Sequence, residues 1–181
     1  MVAFMEFGSD DVTLLKLDGP PPYGFDCGRE EQNEFLYVYA WEDQRASLSV
    51  TYLVFVHGIL AGYLTILMDA VRLSRRERGP GERYAASSAV KAGQIGVHRN
   101  LQGHGLGRRI VAGAASLARH AGEIAGCRYL TLDAQPELVG WYESLGFRRN
   151  LYWQEARLAE AVRHRRDPAS VPVSMRLDLR E

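Results

Sequence analysis

The stretch Gln102-Gly103-His104-Gly105-Leu106-Gly107, followed by Arg108-Arg109-Ile110-Val111, constrains this 181-residue chain more than any other segment. It lies between a run that reads as a strand, Gly93 to His98, and an amphipathic helix predicted to begin near Gly105. A glycine-rich strand-to-helix turn leaves backbone N–H groups without intrahelical acceptors, and the helix dipole favours an anion in front of them. Glycines, lacking Cβ atoms, let the backbone close on a bulky phosphate. The turn reads as a pyrophosphate cradle.

Strands and helices alternate around it. Asp11–Leu17 reads as a strand ended by Gly19-Pro20-Pro21-Pro22, and Arg29 to about Gln44 as a helix with Phe35, Leu36, Tyr39 and Ala40 on one face. Tyr52–Val56, His57-Gly58 and Ile59–Leu67 form a predicted hairpin. Residues 72–83 read as an arginine-rich loop around Gly79-Pro80-Gly81, with a strand following from about Ser87 to His98. After the glycine turn, Leu106, Ile110, Val111, Ala114, Leu117 and Ala118 make one apolar stripe. Tyr129–Asp133 is a strand. Pro136 opens a short helix through Tyr142 to Leu145, stopped by Gly146. Phe147 begins a strand reaching Trp153, Glu155–Arg166 a helix, and Val171–Leu179 the last strand. This is the pattern of a single α/β (α+β) domain over 1–181, with an arginine-rich helical insertion at about 155–167.

With 46% hydrophobic and 24% charged residues, a real core is expected. No apolar run approaches the ~20 residues of a membrane span, and Met1–Glu6 lacks the features of a signal peptide, so the chain reads as cytoplasmic with no membrane partner. Cys27 and Cys127 lie far apart without metal-type spacing, which fits reduced thiols and no metal. The formal charge of zero hides a division. Residues 1–70 carry eleven acids against Lys16, Arg29 and Arg45, a balance of −8, which the remainder cancels. Either the second half meets an anionic ligand, or the halves interleave and the field averages out.

A second signal follows about forty residues after the first: Trp141-Tyr142-Glu143-Ser144-Leu145-Gly146-Phe147. Together with Gln94-Ile95-Gly96-Val97 and Gln102-x-x-Gly105-x-Gly107, it resembles the GNAT superfamily of acyl-CoA-dependent N-acetyltransferases, across roughly residues 10–153. The resemblance implies a mixed, mostly antiparallel sheet of about six to seven strands flanked by helices. It also implies acetyl-CoA as co-substrate, in a cleft between the strand ending near His98 and the strand Tyr129–Asp133. By the same carry-over, backbone groups of Ile95, Gly96 and Val97 would pair with the pantetheine arm. Backbone N–H groups from Gln102 through Gly103, His104, Gly105, Leu106, Gly107 and Arg108 would hold the pyrophosphate. Gln135 stands where family members often place an asparagine that contacts the cofactor. Tyr142 falls at the position of a general acid, and a phenol of pKa near ~10 is matched to a leaving thiol near ~8.5. As a core aromatic between Trp141 and Phe147, Tyr142 would serve packing instead. His98 and Glu143 are the candidates for a base, and neither is assigned.

The entry Phe25-Asp26-Cys27-Gly28-Arg29, with Asn33, Phe35 and Leu36, resembles bacterial GNAT proteins that include toxins acetylating aminoacyl-tRNA. Arginines in 72–83 and 157–166 suit phosphate contacts. The acids Glu30, Glu31, Glu34, Glu42 and Asp43 would repel RNA or attract a basic acceptor. The leading expectation is therefore acetylation of a primary amine on an unidentified acceptor (small molecule, peptide or aminoacyl-tRNA). A toxin acting on aminoacyl-tRNA, with an antitoxin partner, is the alternative. The arginine-rich insertion reads as a solvated helix face, a cap on the sheet, part of the acceptor site or a homodimer contact, and a non-catalytic acetyl-CoA-binding module is the third reading.

Overall fold

A computed structural model describes residues 5–6, 12–78, 83–165 and 167–180. Asp11, the Gly79-Pro80-Gly81 turn and Arg166, named above, lie outside the described residues. The elements in chain order are β1 (Met5–Glu6), β2 (Val12–Lys16), α1 (Glu30–Glu34), a π-turn (Phe35–Tyr39), α2 (Ala40–Arg45), β3 (Val50–Val56), β4 (Ile59–Arg72) and β5 (Ala86–Val97). They continue with α3 (Leu106–Ala125), β6 (Tyr129–Ala134), α4 (Val139–Glu143), β7 (Arg148–Arg149), α5 (Leu151–Arg163) and β8 (Val173–Asp178). The strands follow one another in the order β1-β2-β3-β4-β5-β6-β8-β7. The β1–β2, β2–β3, β3–β4, β6–β8 and β7–β8 pairs are antiparallel. This is the mixed, mostly antiparallel sheet flanked by helices that the sequence led us to expect. The chain divides into two compact units, Met1–Leu67 with Ala92–Ser116, and Met68–Lys91 with Leu117–Glu181.

In the first unit, β3 and β4 meet at His57-Gly58, both with positive φ (49° and 77°), as a two-residue hairpin turn requires. The helix expected over Arg29–Gln44 is present but broken by the π-turn, where the Ala40 amide bonds Phe35 O. Leu36 and Ala40 are fully buried there, and the Tyr37 hydroxyl accepts from the Phe25 amide at 2.7 Å. Leu17, Phe25, Cys27, Leu53, Leu60 and Tyr63 complete this core. Tyr63 sits at its centre, 0% exposed, with its hydroxyl donating to Gln32 O at 2.8 Å and its ring against Phe25 and Phe35.

Gly96 of β5 makes that packing possible. A Cβ there would lie 2.4 Å from Tyr63 Cε1 and 3.1 Å from Phe25 Cζ. Gly96→Ala is expected to destabilise the protein by about 1–3 kcal/mol, the ordinary cost of overpacking a filled core, read as a lowered urea midpoint at unchanged slope.

In the second unit, β6 and β8 pair from Tyr129↔Asp178 to Ala134↔Val173, and Val71, Leu73, Ala89 and Tyr129 pack together. One expected element is much shorter. The strand predicted from Phe147 to Trp153 is only Arg148–Arg149, and the chain turns into α5 at Leu151, four residues ahead of the predicted helix. Glu77 explains the turn. Its Oε1 accepts the Leu151 amide at 2.9 Å and an Arg176 donor at 3.0 Å, while Oε2 accepts the Ser74 amide at 3.0 Å. A carboxylate on the first amide of α5 both satisfies an orphan donor and complements the helix dipole. The same residue ties the arginine-rich loop after β4 to β8.

Candidate active site

In the first unit, β5 runs out at Val97 and the chain makes a 3₁₀ turn, Arg99–Leu101, before the glycines. The His98 amide bonds Ala61 O at 2.8 Å, and its Nδ1 accepts the Asn100 amide at 3.3 Å, which places the ring proton on Nε2. Gly103 and Gly105 have φ of +81° and +83°, and a Cβ built at either meets nothing within 4 Å. Glycine is needed there for backbone conformation, and the space in front of the loop is open. The first amide recruited from this side by α3 is Arg109, to Gly105 O at 3.3 Å. The amides of Leu106, Gly107 and Arg108 are thus the helix's first three and have no intrahelical acceptor. The Arg108 side chain is exposed. This arrangement fits a pyrophosphate.

Gln102 has a different part from its neighbours. Its own amide is drawn back to Arg99 O, and its side-chain nitrogen donates to Cys27 O at 2.9 Å and Val97 O at 3.0 Å. The Phe25–Leu36 motif supplies the other half of this tie. Asp26 accepts from the Gly28 amide, Asn33 and Arg99, and Asn33 Oδ1 accepts from the Cys27 amide and thiol. The Gly28 amide, Asn33 and the nearby Arg99 hold the Asp26 carboxyl below its usual range. The motif is therefore a latch that fastens the start of α1 to the entry of the glycine turn. The His104 ring rests on Gln102 O at 2.9 Å.

The second unit holds Tyr142. Its ring is buried, edge-on to Trp141 (4.7 Å between centroids) and Phe147 (5.5 Å). Burial pushes its pKa up to about 12. Its hydroxyl forms no hydrogen bond among the described residues, and Tyr142 as a whole is 8% exposed. Glu143, one of the two candidate bases, is occupied by Arg149 at 2.8 Å. Gln135 receives the Leu138 amide on its backbone oxygen, and its side chain caps nothing.

A cavity of about 200 Å³ in this unit was not foreseen. Asp69, Lys91, Thr131, Asp133, Asn150, Arg157 and Ser174 supply its polar lining. Asp133 takes Lys91 Nζ at 2.7 Å and two Arg157 nitrogens at 2.6 and 3.0 Å. Burial alone would raise the Asp133 pKa, but the bonds and charges of Arg157 and Lys91 outweigh it and hold the carboxyl below its usual range. Arg157, expected among phosphate-gripping arginines, is thus committed to the sheet. The signal available in the sequence was Lys91 and Asp133, each the one charged residue of its strand.

A family model described as an acetyltransferase (GNAT) domain matches residues 58–149, just over half of the chain. The chain belongs to the GNAT acetyltransferase family. The matched span of this GNAT domain runs from the hairpin turn through the glycine turn and Tyr142 to β7. The fold is shared with bacterial toxins. A tyrosine-to-phenylalanine mutant of the AtaT toxin superimposes with TM-score 0.74 at 21% identity, over 98% of this chain and 95% of that one. The AtaTR assembly bound with acetyl-CoA gives 0.67 at 21%, over 94% of each. AtaT complexed with acetyl-methionyl-tRNAfMet gives 0.67 at 26%, over 77% of this chain and 88% of that one. The protein is a GNAT-type N-acetyltransferase. Among its described residues no helix is long and apolar enough to cross a membrane.

Proposed function

We propose that this GNAT domain transfers the acetyl group of acetyl-CoA to the α-amino group of an aminoacyl-tRNA. The observation that carries the reading is its 26% identity and shared fold with a toxin captured on acetyl-methionyl-tRNA. The Phe25–Leu36 segment, whose residues resemble the entry of toxin-type members, supports it. When bound, acetyl-CoA supplies an activated thioester and departs as a thiolate.

The open amides at Gly103–Arg108 receive the pyrophosphate, with Arg108 adding charge. Ile95, Gly96 and Val97 align the pantetheine arm through backbone groups, Val97 O already being shared with Gln102. As the acceptor nitrogen forms its bond to the acetyl carbon and the carbon–sulfur bond breaks, Tyr142 gives its proton to sulfur. The phenolate is refilled from water, which also takes the amine proton. Gln135 lies just beyond β6 as a further cofactor contact. An antitoxin partner follows from this reading.

The exposed acids Glu30, Glu31 and Glu34 on α1 favour a second reading, a small or basic amine acceptor, because they repel a phosphate backbone. Cell-free translation separates the two. Arrest that requires acetyl-CoA, with N-acetylated aminoacyl-tRNA recovered, is the expected result. Coenzyme release with small amines and undisturbed translation would overturn the tRNA assignment.

A further inference from the structure

We propose that the polar cavity of the second unit is the seat of the acceptor's ammonium group, and that Asp69 is the carboxylate that recognises it. The inference deepens the functional reading above and rests on its claim that the acceptor is an amine.

The charges lining the cavity are unequally partnered. Lys91 and Arg157 are both spent on Asp133, whose two oxygens receive three charged donors. Asp69 is half-buried on β4 and receives only neutral donors, the Thr131 hydroxyl at 2.5 Å and the Ala70 amide at 2.8 Å. No cationic side chain among the described residues pairs with it. An ionised carboxylate accepts about four hydrogen bonds and gains most from charged donors, so Asp69 retains capacity for an ammonium.

The remaining groups say more about the ligand. Lys91 has three N–H donors and uses one on Asp133. Its spare donors suit a carbonyl or ester oxygen beside the ammonium. The floor is fixed: Thr131 is 3% exposed, and Asn150, 1% exposed, is held by Ser174 at 3.1 Å and Arg176 at 2.8 Å. About 200 Å³ is room for roughly seven waters at ~30 Å³ each. That is enough for the ammonium, α-carbon and carbonyl of an α-amino acyl group, and too little for a nucleotide.

L-Alaninamide carries this chemistry without a nucleic acid, and propionamide lacks the ammonium. In the full chain, titration with alaninamide should shift the NMR resonances of Asp69, Lys91 and Thr131, and propionamide should not. Asp69→Asn keeps the shape and can still accept from Thr131. It should weaken alaninamide binding, and raise KM for an acetylated amine, by at least about tenfold, with acetyl-CoA affinity unchanged. Equal effects on free α-amino amides and on aminoacyl-tRNA would show that both sources use the cavity; a KM effect confined to one assigns it to that source.

If an amine is acetylated and Asp69→Asn leaves its KM unchanged, the cavity assignment falls while the enzymatic reading stands. If alaninamide binds through Asp69 and no amine is acetylated, the enzymatic reading falls and the ammonium site stands. Absence of alaninamide binding in the wild-type protein, or equal binding in the variant, overturns the proposal. Circular dichroism and acetyl-CoA binding of the variant establish that it is folded.

Discussion

Tyr142→Phe should lower kcat by about 10²–10⁴-fold, the range one positioned general acid contributes, while acetyl-CoA affinity stays within about twofold. The variant keeps the ring between Trp141 and Phe147 and removes only an oxygen without a hydrogen bond among the described residues, so packing is retained. Burial makes a further prediction. With its pKa pushed up to about 12, the phenol stays protonated well above the ordinary tyrosine range. A general acid acts in its protonated form, below its pKa. The alkaline limb due to Tyr142 should therefore lie near pH 12, and kcat should show no loss from this group between pH 8 and 10.

The same burial has a cost for proton transfer. Giving a proton from a phenol near 12 to a thiolate whose thiol titrates near ~8.5 is uphill by roughly 5 kcal/mol at ~1.36 kcal/mol per unit. Donation must then accompany carbon–sulfur cleavage, while sulfur is gaining charge, rather than follow as a separate equilibrium. Stopped-flow assay of coenzyme release across pH tests both points. An undiminished kcat in Tyr142→Phe would make Tyr142 a packing residue.

Arg176→Met should be the most damaging substitution for stability outside the apolar core, at about 3–5 kcal/mol in urea denaturation, because it strands a buried carboxylate. The Arg176 and Glu77 side chains are 9% and 5% exposed. Arg176 also donates to Arg149 O and Asn150 Oδ1, so one guanidinium holds the turn between β7 and α5. Replacing Glu77 by Gln in the Arg176→Met background should recover part of the loss, since the stranded charge is then gone.

The pH dependence follows from the direction of the shift. Burial alone would raise the Glu77 pKa, but the Ser74 and Leu151 amides, the Ser74 hydroxyl and Arg176 outweigh it and hold the carboxyl below its ordinary value of 4.5. A lowered folded-state pKa contributes stability that is present above the ordinary value and is lost as pH falls through the lowered one. The wild-type protein should thus lose stability steeply below about pH 4.5, and Glu77→Gln should flatten that slope. A slope unchanged in the variant would move the acid sensitivity to other carboxylates held below their usual range, Asp26, Asp133 and Asp178 among them.

Much of the fold was legible because its signals are local. The apolar stripe beginning at Leu106 and Ile110, the hairpin at His57-Gly58 and the glycine turn each depend on residues within a few positions of one another. Where the reading failed, a distant partner decided. Residues after Phe147 have strand propensity, but the Leu151 amide meets Glu77, seventy-four residues away in sequence, and a helix starts instead. The Phe25–Leu36 motif was visible as a pattern, and only the Cys27–Gln102 bond shows that it fastens the glycine turn. Arg157 reads in the sequence as one of several arginines suited to phosphate, and only the tertiary structure pairs it with Asp133.

The sequence by itself determined the family, the sheet-and-helix plan and the glycine turn, since contiguous motifs and helical or strand periodicity carry them. The tertiary structure alone decided that Tyr142 is buried, that Glu77 and Arg176 hold the loop and α5, and that Asp69 meets no cation among the described residues in a polar cavity. Those outcomes depend on burial and on charges brought together from positions far apart in the chain, and no spacing along a sequence encodes which carboxylate is left unpaired.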